Sequence, residues 1–281
     1  MAVDRGRVLV IHFGALGDFV LSFHALGRLA AWAGRENLVV AARGELGELV
    51  VGSQQLVALE GEMISGAMSP EPPQKVLNWL GEFGLVVVFS SGPRPELARN
   101  TMRAGAGLWQ LPTRPPEGMH LVQAQLKVLE EKGLTQPAPP LRPHISQPLP
   151  PPCPVVAPGS GGRPKRLEPE LAGKIIEELS SQGKVKLVFG PAEEPAYRNA
   201  VLAACNTKPI VVAEPTLRDL VHVLAGASPY LGADSGVTHL AAVLGVPTVA
   251  VFKASDPRAW GPIGENVEVL SLRELTSFRV H

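Results

Sequence analysis

One segment of the sequence joins a short apolar run to residues that suit an anion. Residues 230–233 predict a strand, and Asp234, Ser235 and Gly236 lead from it into a helical pattern. Ser235 is suited to cap that helix, Gly236 allows close approach of a ligand, and the first-turn N–H groups carry the positive end of the helix dipole. His239 follows one turn later on the same face. The segment predicts a diphosphate site or, with equal weight, an ordinary capped helix with a packed histidine.

A second glycine turn lies near the start of the chain. The β-rich run 8–13 precedes Gly14, Gly17 and Asp18, and a helical pattern covers residues 19–29. Asp18 at the mouth of such a turn either caps the helix or projects beyond the strand ends, and by itself the cap is favoured. The turn lacks the spacing of the dinucleotide fingerprint, and the P-loop pattern does not occur in the chain. We therefore expect no cofactor.

Two further loops follow predicted strands in the second half. The loop at residues 157–166 contains three glycines and three cations, so free backbone N–H groups and positive charge meet at one strand end. This predicts a phosphate site, with a solvated basic loop as the alternative. The next loop contains Glu193 and Glu194. Their carboxylates suit ribose or sugar hydroxyls, and equally the first turn of a helix.

Composition excludes several classes of protein. The 281 residues include 26 basic and 26 acidic side chains, so no overall field favours nucleic acid. Cys153 and Cys205 are too few for a disulfide framework or a zinc cluster. The longest apolar run, 240–252, is short and broken by glycine and proline, which argues against a transmembrane helix. Residues 1–7 lead into a strand without a leader-like apolar block, so we expect a cytoplasmic protein.

Alternating strand and helix patterns predict an α/β protein with parallel sheets. The predicted strands are 7–13, 38–42, 55–59, 85–90, 108–111, 155–158, 185–190, 210–212, 230–233, 248–252 and 267–270. A proline-rich segment, 136–154, predicts a stiff extended linker. We place the domain boundary there, giving domains 1–150 and 151–281. Two Rossmann-like domains facing a central cleft would set Asp18 and Asp234 opposite one another.

These segments together resemble the family 9 glycosyltransferases, whose best-known members are ADP-heptose:lipopolysaccharide heptosyltransferases. The resemblance spans nearly the whole chain, and its most specific part is the Asp-Ser-Gly-x-x-His segment with the stretch that follows it. The residues that carry it are Gly14-Ala15-Leu16-Gly17-Asp18, Pro158-Gly159-Ser160-Gly161-Gly162 with Lys165-Arg166, Gly190-Pro191-Ala192-Glu193, Asp234-Ser235-Gly236 with His239, and Asp256-Pro257 with Trp260-Gly261-Pro262.

The resemblance implies a GT-B fold and inverting transfer of a sugar, typically heptose from ADP-heptose, onto a lipopolysaccharide-core acceptor. The N-terminal domain would bind the acceptor and the C-terminal domain the donor. Asp18 matches the proposed general base, which takes the proton of the acceptor hydroxyl. The residues that match donor-binding positions are Ser160, Gly161, Lys165, Glu193, Asp234, Ser235, Gly236 and His239.

The implied partners are a nucleotide-sugar donor and a lipid-linked saccharide acceptor, with peripheral contact with the inner membrane and no nucleic acid. The chain has no Asp-x-Asp pair, which favours a metal-independent reaction, so we expect no metal. It differs from many members at His12, at Leu167-Glu168 and at Lys253. Two alternatives stay open: a non-catalytic nucleotide-sugar-binding protein of the same fold and a nucleotide-sugar epimerase.

Overall fold

The computed structural model describes residues 6–145 and 148–275. The chain divides into two compact units, residues 1–144 and 145–281, and the division falls inside the proline-rich segment. Residues 1–5, which bear on the expectation that there is no leader, lie outside the described residues. Within the described ranges, no helix is long and apolar enough to cross a bilayer.

The first unit contains a parallel five-stranded sheet with the order β3-β2-β1-β4-β5. Its strands are β1 Val8–His12, β2 Leu38–Ala42, β3 Leu56–Ala58, β4 Leu85–Phe89 and β5 Gly107–Leu111. The central strands β1, β2 and β4 are buried along their whole length, because helices cover both faces of such a sheet and apolar residues fill both sides. The chain reverses its direction of winding between β1 and β4, where the loops that follow the two strands diverge.

Six α-helices lie among the described residues of the first unit. They are α1 Leu16–Leu21, α2 Phe23–Ala33, α3 Glu62–Ala67, α4 Gln74–Leu80, α5 Pro95–Arg103 and α6 Leu121–Glu131. The single helical pattern predicted at 19–29 is divided between α1 and α2. The division lies at Ser22, whose hydroxyl donates to the Phe19 carbonyl at 2.6 Å and competes with continuation of the helix.

The second unit contains a parallel six-stranded sheet with the order β11-β10-β9-β6-β7-β8. Its strands are β6 Cys153–Ala157, β7 Lys186–Phe189, β8 Ile210–Ala213, β9 Ala227–Ala233, β10 Thr248–Phe252 and β11 Val267–Ser271. Its helices are α7 Pro169–Leu179, α8 Pro195–Ala203, α9 Leu217–Ala225, α10 Gly236–Leu244, α11 Pro257–Trp260 and α12 Leu272–Leu275. Here the winding reverses between β6 and β9, so the loops after these two strands flank the usual ligand position of an open α/β sheet.

Each of the eleven predicted strands is present, with ends that differ by three residues or fewer. The prediction of two Rossmann-like α/β domains with parallel sheets is therefore confirmed. Both cysteines are free.

The linker prediction is wrong at the C-terminal end of the proline-rich segment. Pro154 lies inside β6, a central strand, where the pairing with β9 shifts register between Cys153 and Val155 and so accommodates a residue that lacks an N–H. Earlier in the segment, the Leu141 N–H donates to the Phe23 carbonyl at 3.0 Å. That stretch, which has no helix or strand, packs on α2.

Candidate active site

The loop between β6 and α7, residues 158–168, is folded tightly against its neighbours; we call it the β6–α7 loop. The Ser160 hydroxyl donates to the Asp234 carbonyl at 2.8 Å, which ties the loop to the end of β9. The Leu167 N–H donates back to the Pro158 carbonyl at 2.9 Å, so the two ends of the loop meet. Ser160 is thus buried, and the hydrogen of its hydroxyl is used within the protein.

Arg166 is a structural centre of the same loop. Its guanidinium donates to the Ser160 carbonyl at 2.9 Å, to the Ala192 carbonyl at 2.7 Å and to the Glu194 carboxylate at 2.6 Å. It is buried and lies 5.1 Å from the centre of the Tyr197 ring. The expectation that three cations meet an anion here is therefore wrong for Arg166, because each of its three guanidinium nitrogens already donates to a protein acceptor.

Lys165 lies in a charged cluster centred on Asp234. The Lys165 Nζ is 2.9 Å from Asp234 Oδ2, and the Ser255 hydroxyl donates to the same oxygen. The His239 Nε2 lies 3.9 Å from Asp234 Oδ1, and both of these side chains are buried. A carboxylate repels a phosphate, so Asp234 is suited to holding Lys165 in place. Lys165, with 38 % of its side chain exposed, is suited to binding a phosphate group.

The N-terminus of α10 borders this cluster. Ser235 occupies the cap position with an extended backbone, but its side chain makes no capping hydrogen bond, so the predicted cap is wrong. Its hydroxyl lies 3.4 Å from the Thr238 hydroxyl, and Thr238 donates to the Ala233 carbonyl at 2.5 Å. The first-turn N–H groups, beginning at Gly236, thus have no side-chain cap. They form the kind of site that binds anions.

Glu193 connects the β6–α7 loop with the loop after β7. Its Oε2 accepts a hydrogen bond from the Gly190 N–H at 2.5 Å, and a Cβ on Gly159 would overlap its carboxyl group. Burial raises the pKa of Glu193, although the Gly190 N–H and the nearby Arg166 act in the opposite direction. Both glutamates precede α8, so the alternative that they belong to its first turn is wrong. Gly161, by contrast, has open space around it, which lets a ligand approach its backbone.

In the first unit, Asp18 is the third residue of α1, and Ala15 occupies the cap position. The predicted alternative of a cap is therefore wrong. A Cβ on Gly14 would lie 2.6 Å from the Asp18 Cβ and 2.7 Å from the His12 Cε1, so the turn needs glycine there. The Gly14 N–H donates to His12 Nδ1 at 3.1 Å. Complete burial lowers the pKa of His12 to about 4, so this imidazole is neutral.

Two exposed arginines lie beside this turn, and neither is among the site residues predicted from the sequence. The Arg43 guanidinium donates to the Phe13 carbonyl at 3.3 Å, and the Arg94 guanidinium lies 4.7 Å from the centre of the Phe13 ring. Arg43 directly follows β2, and Arg94 precedes α5 in the segment after β4. A search for cations after each predicted strand would have found both, since strand ends of a parallel sheet share one edge.

Comparison with known proteins decides the family. The sequence model of glycosyltransferase family 9 (heptosyltransferase) matches residues 99–280, which is more than half of the chain. The chain belongs to glycosyltransferase family 9.

Curated relatives of this family 9 chain match it over short stretches. Lipopolysaccharide heptosyltransferase 3 of Escherichia coli (strain K12) is 32% identical over 98 residues, which cover 34% of this chain and 28% of that protein. Lipopolysaccharide heptosyltransferase 1 of Pseudomonas aeruginosa is 34% identical over 94 residues, covering 33% of this chain and 26% of that protein. The chain thus matches less than a third of the length of these relatives.

Solved structures show the fold over nearly the whole length. A family 9 glycosyl transferase from Veillonella parvula has a TM-score of 0.76 at 21% identity, with 96% of this chain and 88% of that chain covered. The ADP-heptose lipopolysaccharide heptosyltransferase II of E. coli has a TM-score of 0.70 at 19% identity, with 96% and 93% covered. The GT-B fold class of this family 9 chain is thereby confirmed.

The predicted donor residues of the family 9 chain all lie in its second unit, at the strand ends β6, β7 and β9. Lys165 and His239 both lie beside Asp234, whereas Ser160 joins this group through the Asp234 carbonyl. Asp18 lies in the first unit. Among the described residues, no group of three or more His, Cys, Asp or Glu side chains is placed to hold a metal ion.

Proposed function

We propose that the chain is an inverting glycosyltransferase that moves heptose from ADP-heptose onto a lipopolysaccharide-core acceptor. The observation that carries this proposal is the meeting of Lys165, the β6–α7 loop and the uncapped N-terminus of α10 around Asp234. Backbone N–H groups, a helix dipole and one cation at a topological switch point suit a diphosphate.

The donor would bind entirely within the second unit. The backbone of Gly161 is accessible to a phosphate, and Lys165 would compensate its charge. Glu193, held between two loops, would accept hydrogen bonds from ribose or sugar hydroxyls. As the sugar leaves, negative charge grows on the diphosphate, and preorganised donors stabilise that charge without the aid of a metal ion.

Asp18 would act on the acceptor. Its carboxylate takes the proton of the acceptor hydroxyl as that oxygen forms a bond to the anomeric carbon, and the bond from this carbon to the diphosphate breaks. The products are the glycosylated acceptor with inverted configuration, ADP and a proton. Close packing among Gly14, His12 and Asp18 supports this role, because a base must be held in a fixed position.

The acceptor would carry anionic groups. Arg43 and Arg94 are exposed beside Phe13, one residue before the turn that leads to Asp18. Guanidinium groups recognise phosphate and carboxylate through paired hydrogen bonds. A lipid-linked saccharide with such groups would bring the chain to the inner membrane surface from the cytoplasm.

Product analysis tests the proposal. The full chain is incubated with ADP-heptose and a heptose-deficient lipopolysaccharide core, with and without a chelator, and the products are examined by mass spectrometry. We expect release of ADP and a heptosylated core in both conditions. An isomerised sugar nucleotide would instead indicate an epimerase, and binding without turnover would indicate a non-catalytic binding protein.

Binding is measured separately by thermal unfolding with ADP in the presence of the chelator. A ligand at a hundredfold excess over its Kd stabilises the native state by about 2.7 kcal/mol, which gives a clear rise in melting temperature. His239→Ala should reduce this rise, since the imidazole lies beside the proposed diphosphate site. A requirement for a divalent cation would contradict the proposed role of Lys165 and the α10 N-terminus.

A further inference from the structure

Lys253 is a largely buried cation that has no role in the reaction proposed above. It directly follows β10, and only 14% of its side chain is exposed. Its Nζ donates to the Arg166 carbonyl at 2.7 Å and to the Glu168 carboxylate at 2.7 Å. A buried ammonium group is costly unless it has such partners, and these two contacts offset that cost.

The sheet order shows what Lys253 connects. Strand β9 lies between β10 and β6, yet Lys253 at the end of β10 bonds to the loop that follows β6. Its side chain therefore passes the end of β9, where Asp234 begins the segment into α10. The Asp234 N–H itself donates to the Val251 carbonyl of β10 at 3.1 Å. Three strand ends are thus joined at one point.

Of the two contacts of Lys253, the hydrogen bond to the Arg166 carbonyl contributes more to holding the loop than the ion pair with Glu168. Glu168 has 69% of its side chain exposed, and exposed ion pairs contribute little. The Arg166 carbonyl, in contrast, belongs to the residue that directly follows Lys165. The hydrogen bond that it accepts from Lys253 is partly buried. Holding this carbonyl restricts the backbone directly after Lys165 and so limits how far the Lys165 side chain can move away from Asp234.

We propose that Lys253 is a positioning residue, which holds the β6–α7 loop so that Lys165 stays beside Asp234 and the N-terminus of α10. This role rests on the proposed donor-binding function. It makes the affinity for a nucleoside diphosphate depend on a residue that does not itself contact the ligand. Glu168 orients the ammonium group from the solvent side and has the smaller effect.

The test measures the affinity of the full chain for ADP by titration calorimetry. Lys253→Met removes the charge and keeps the length of the side chain, Lys253→Arg keeps donors for both partners, and Glu168→Gln removes only the ion pair. Lys174→Met, an exposed lysine on α7, is the matched control. We expect about tenfold weaker binding for Lys253→Met, the loss of one hydrogen bond from a charged group. Lys253→Arg, Glu168→Gln and the control should stay within about threefold of the parent.

A double-mutant cycle separates positioning from direct contact. If Lys253 acts through Lys165, then Lys253→Met should weaken ADP binding by less than about twofold in a Lys165→Ala background. Additive losses would overturn the positioning role, as would unchanged binding by a folded Lys253→Met variant. If that variant does not fold, Lys253→Gln takes its place, and failure of both to fold would show a requirement of the fold instead. A parent chain that binds no ADP would refute the donor site itself.

Discussion

Acid should destabilise the first unit through His12. Burial lowers the pKa of this imidazole from 6.5 to about 4 in the folded chain. Above pH 6.5 the residue is neutral in both the folded and the unfolded state and has no effect. As the pH falls below 6.5, His12 becomes protonated in the unfolded state but stays neutral in the folded state. The free energy of unfolding therefore decreases, until the folded residue is also protonated near pH 4. A shift of this size corresponds to about 3 kcal/mol.

Urea unfolding as a function of pH measures this loss. Three of the four tryptophans, Trp32, Trp79 and Trp109, lie in the first unit, and Trp260 lies in the second. A Trp260→Phe background therefore makes the fluorescence report on the first unit alone. The free energy of unfolding is determined between pH 7 and pH 4 for this chain and for the same chain with His12→Asn, whose amide oxygen can still accept the Gly14 N–H.

The difference between the two profiles isolates the histidine, because every other titrating group is common to both chains. We expect the parent to lose about 3 kcal/mol more than the His12→Asn variant over this range. His144→Asn, at an exposed histidine, is the control and should follow the parent. Parallel profiles for the parent and His12→Asn would refute the conclusion that His12 is neutral and buried, and NMR titration of its ring would locate the error.

Three further predictions concern the two sites. Asp18→Asn should leave ADP binding and the melting temperature unchanged while turnover falls by about 10²–10⁴-fold, the contribution of a positioned base; retained turnover in initial-rate assays would contradict the role. Lys165→Ala should weaken ADP binding by about 10–100-fold in calorimetry, since it removes a charge-assisted hydrogen bond, and equal affinity would remove Lys165 from the site. Gly159→Ala should lower the free energy of unfolding by about 1–3 kcal/mol, because the new methyl group overlaps Glu193. Gly161→Ala, in open space, should leave it unchanged, and equal effects of the two would show that the overlap is relieved.

The sequence by itself was sufficient for the presence of the strands and for the class of fold. Strands such as β2 and β10 are continuous apolar runs bounded by turn residues, and this pattern is local enough to be read without any tertiary contact. The same holds for the glycine turns at Gly14 and Gly236, where each strand passes into a helix. Pro154 shows the limit of local rules, because its strand depends on a register shift against a partner more than seventy residues away.

Only the tertiary structure decided how the side chains at the strand ends are used. The β6–α7 loop lies beside Asp234 because β6 pairs with β9, and no spacing within either segment encodes that pairing. Arg166 and Lys165 are consecutive cations in the sequence, yet the first is enclosed by protein acceptors and the second faces Asp234. Lys253, at the end of β10, donates to the β6–α7 loop although β9 lies between β10 and β6. Strand order depends on the free energy of the whole packed sheet, and hydrogen-bond partners follow from that order, whereas periodicity records only which face of each element is apolar.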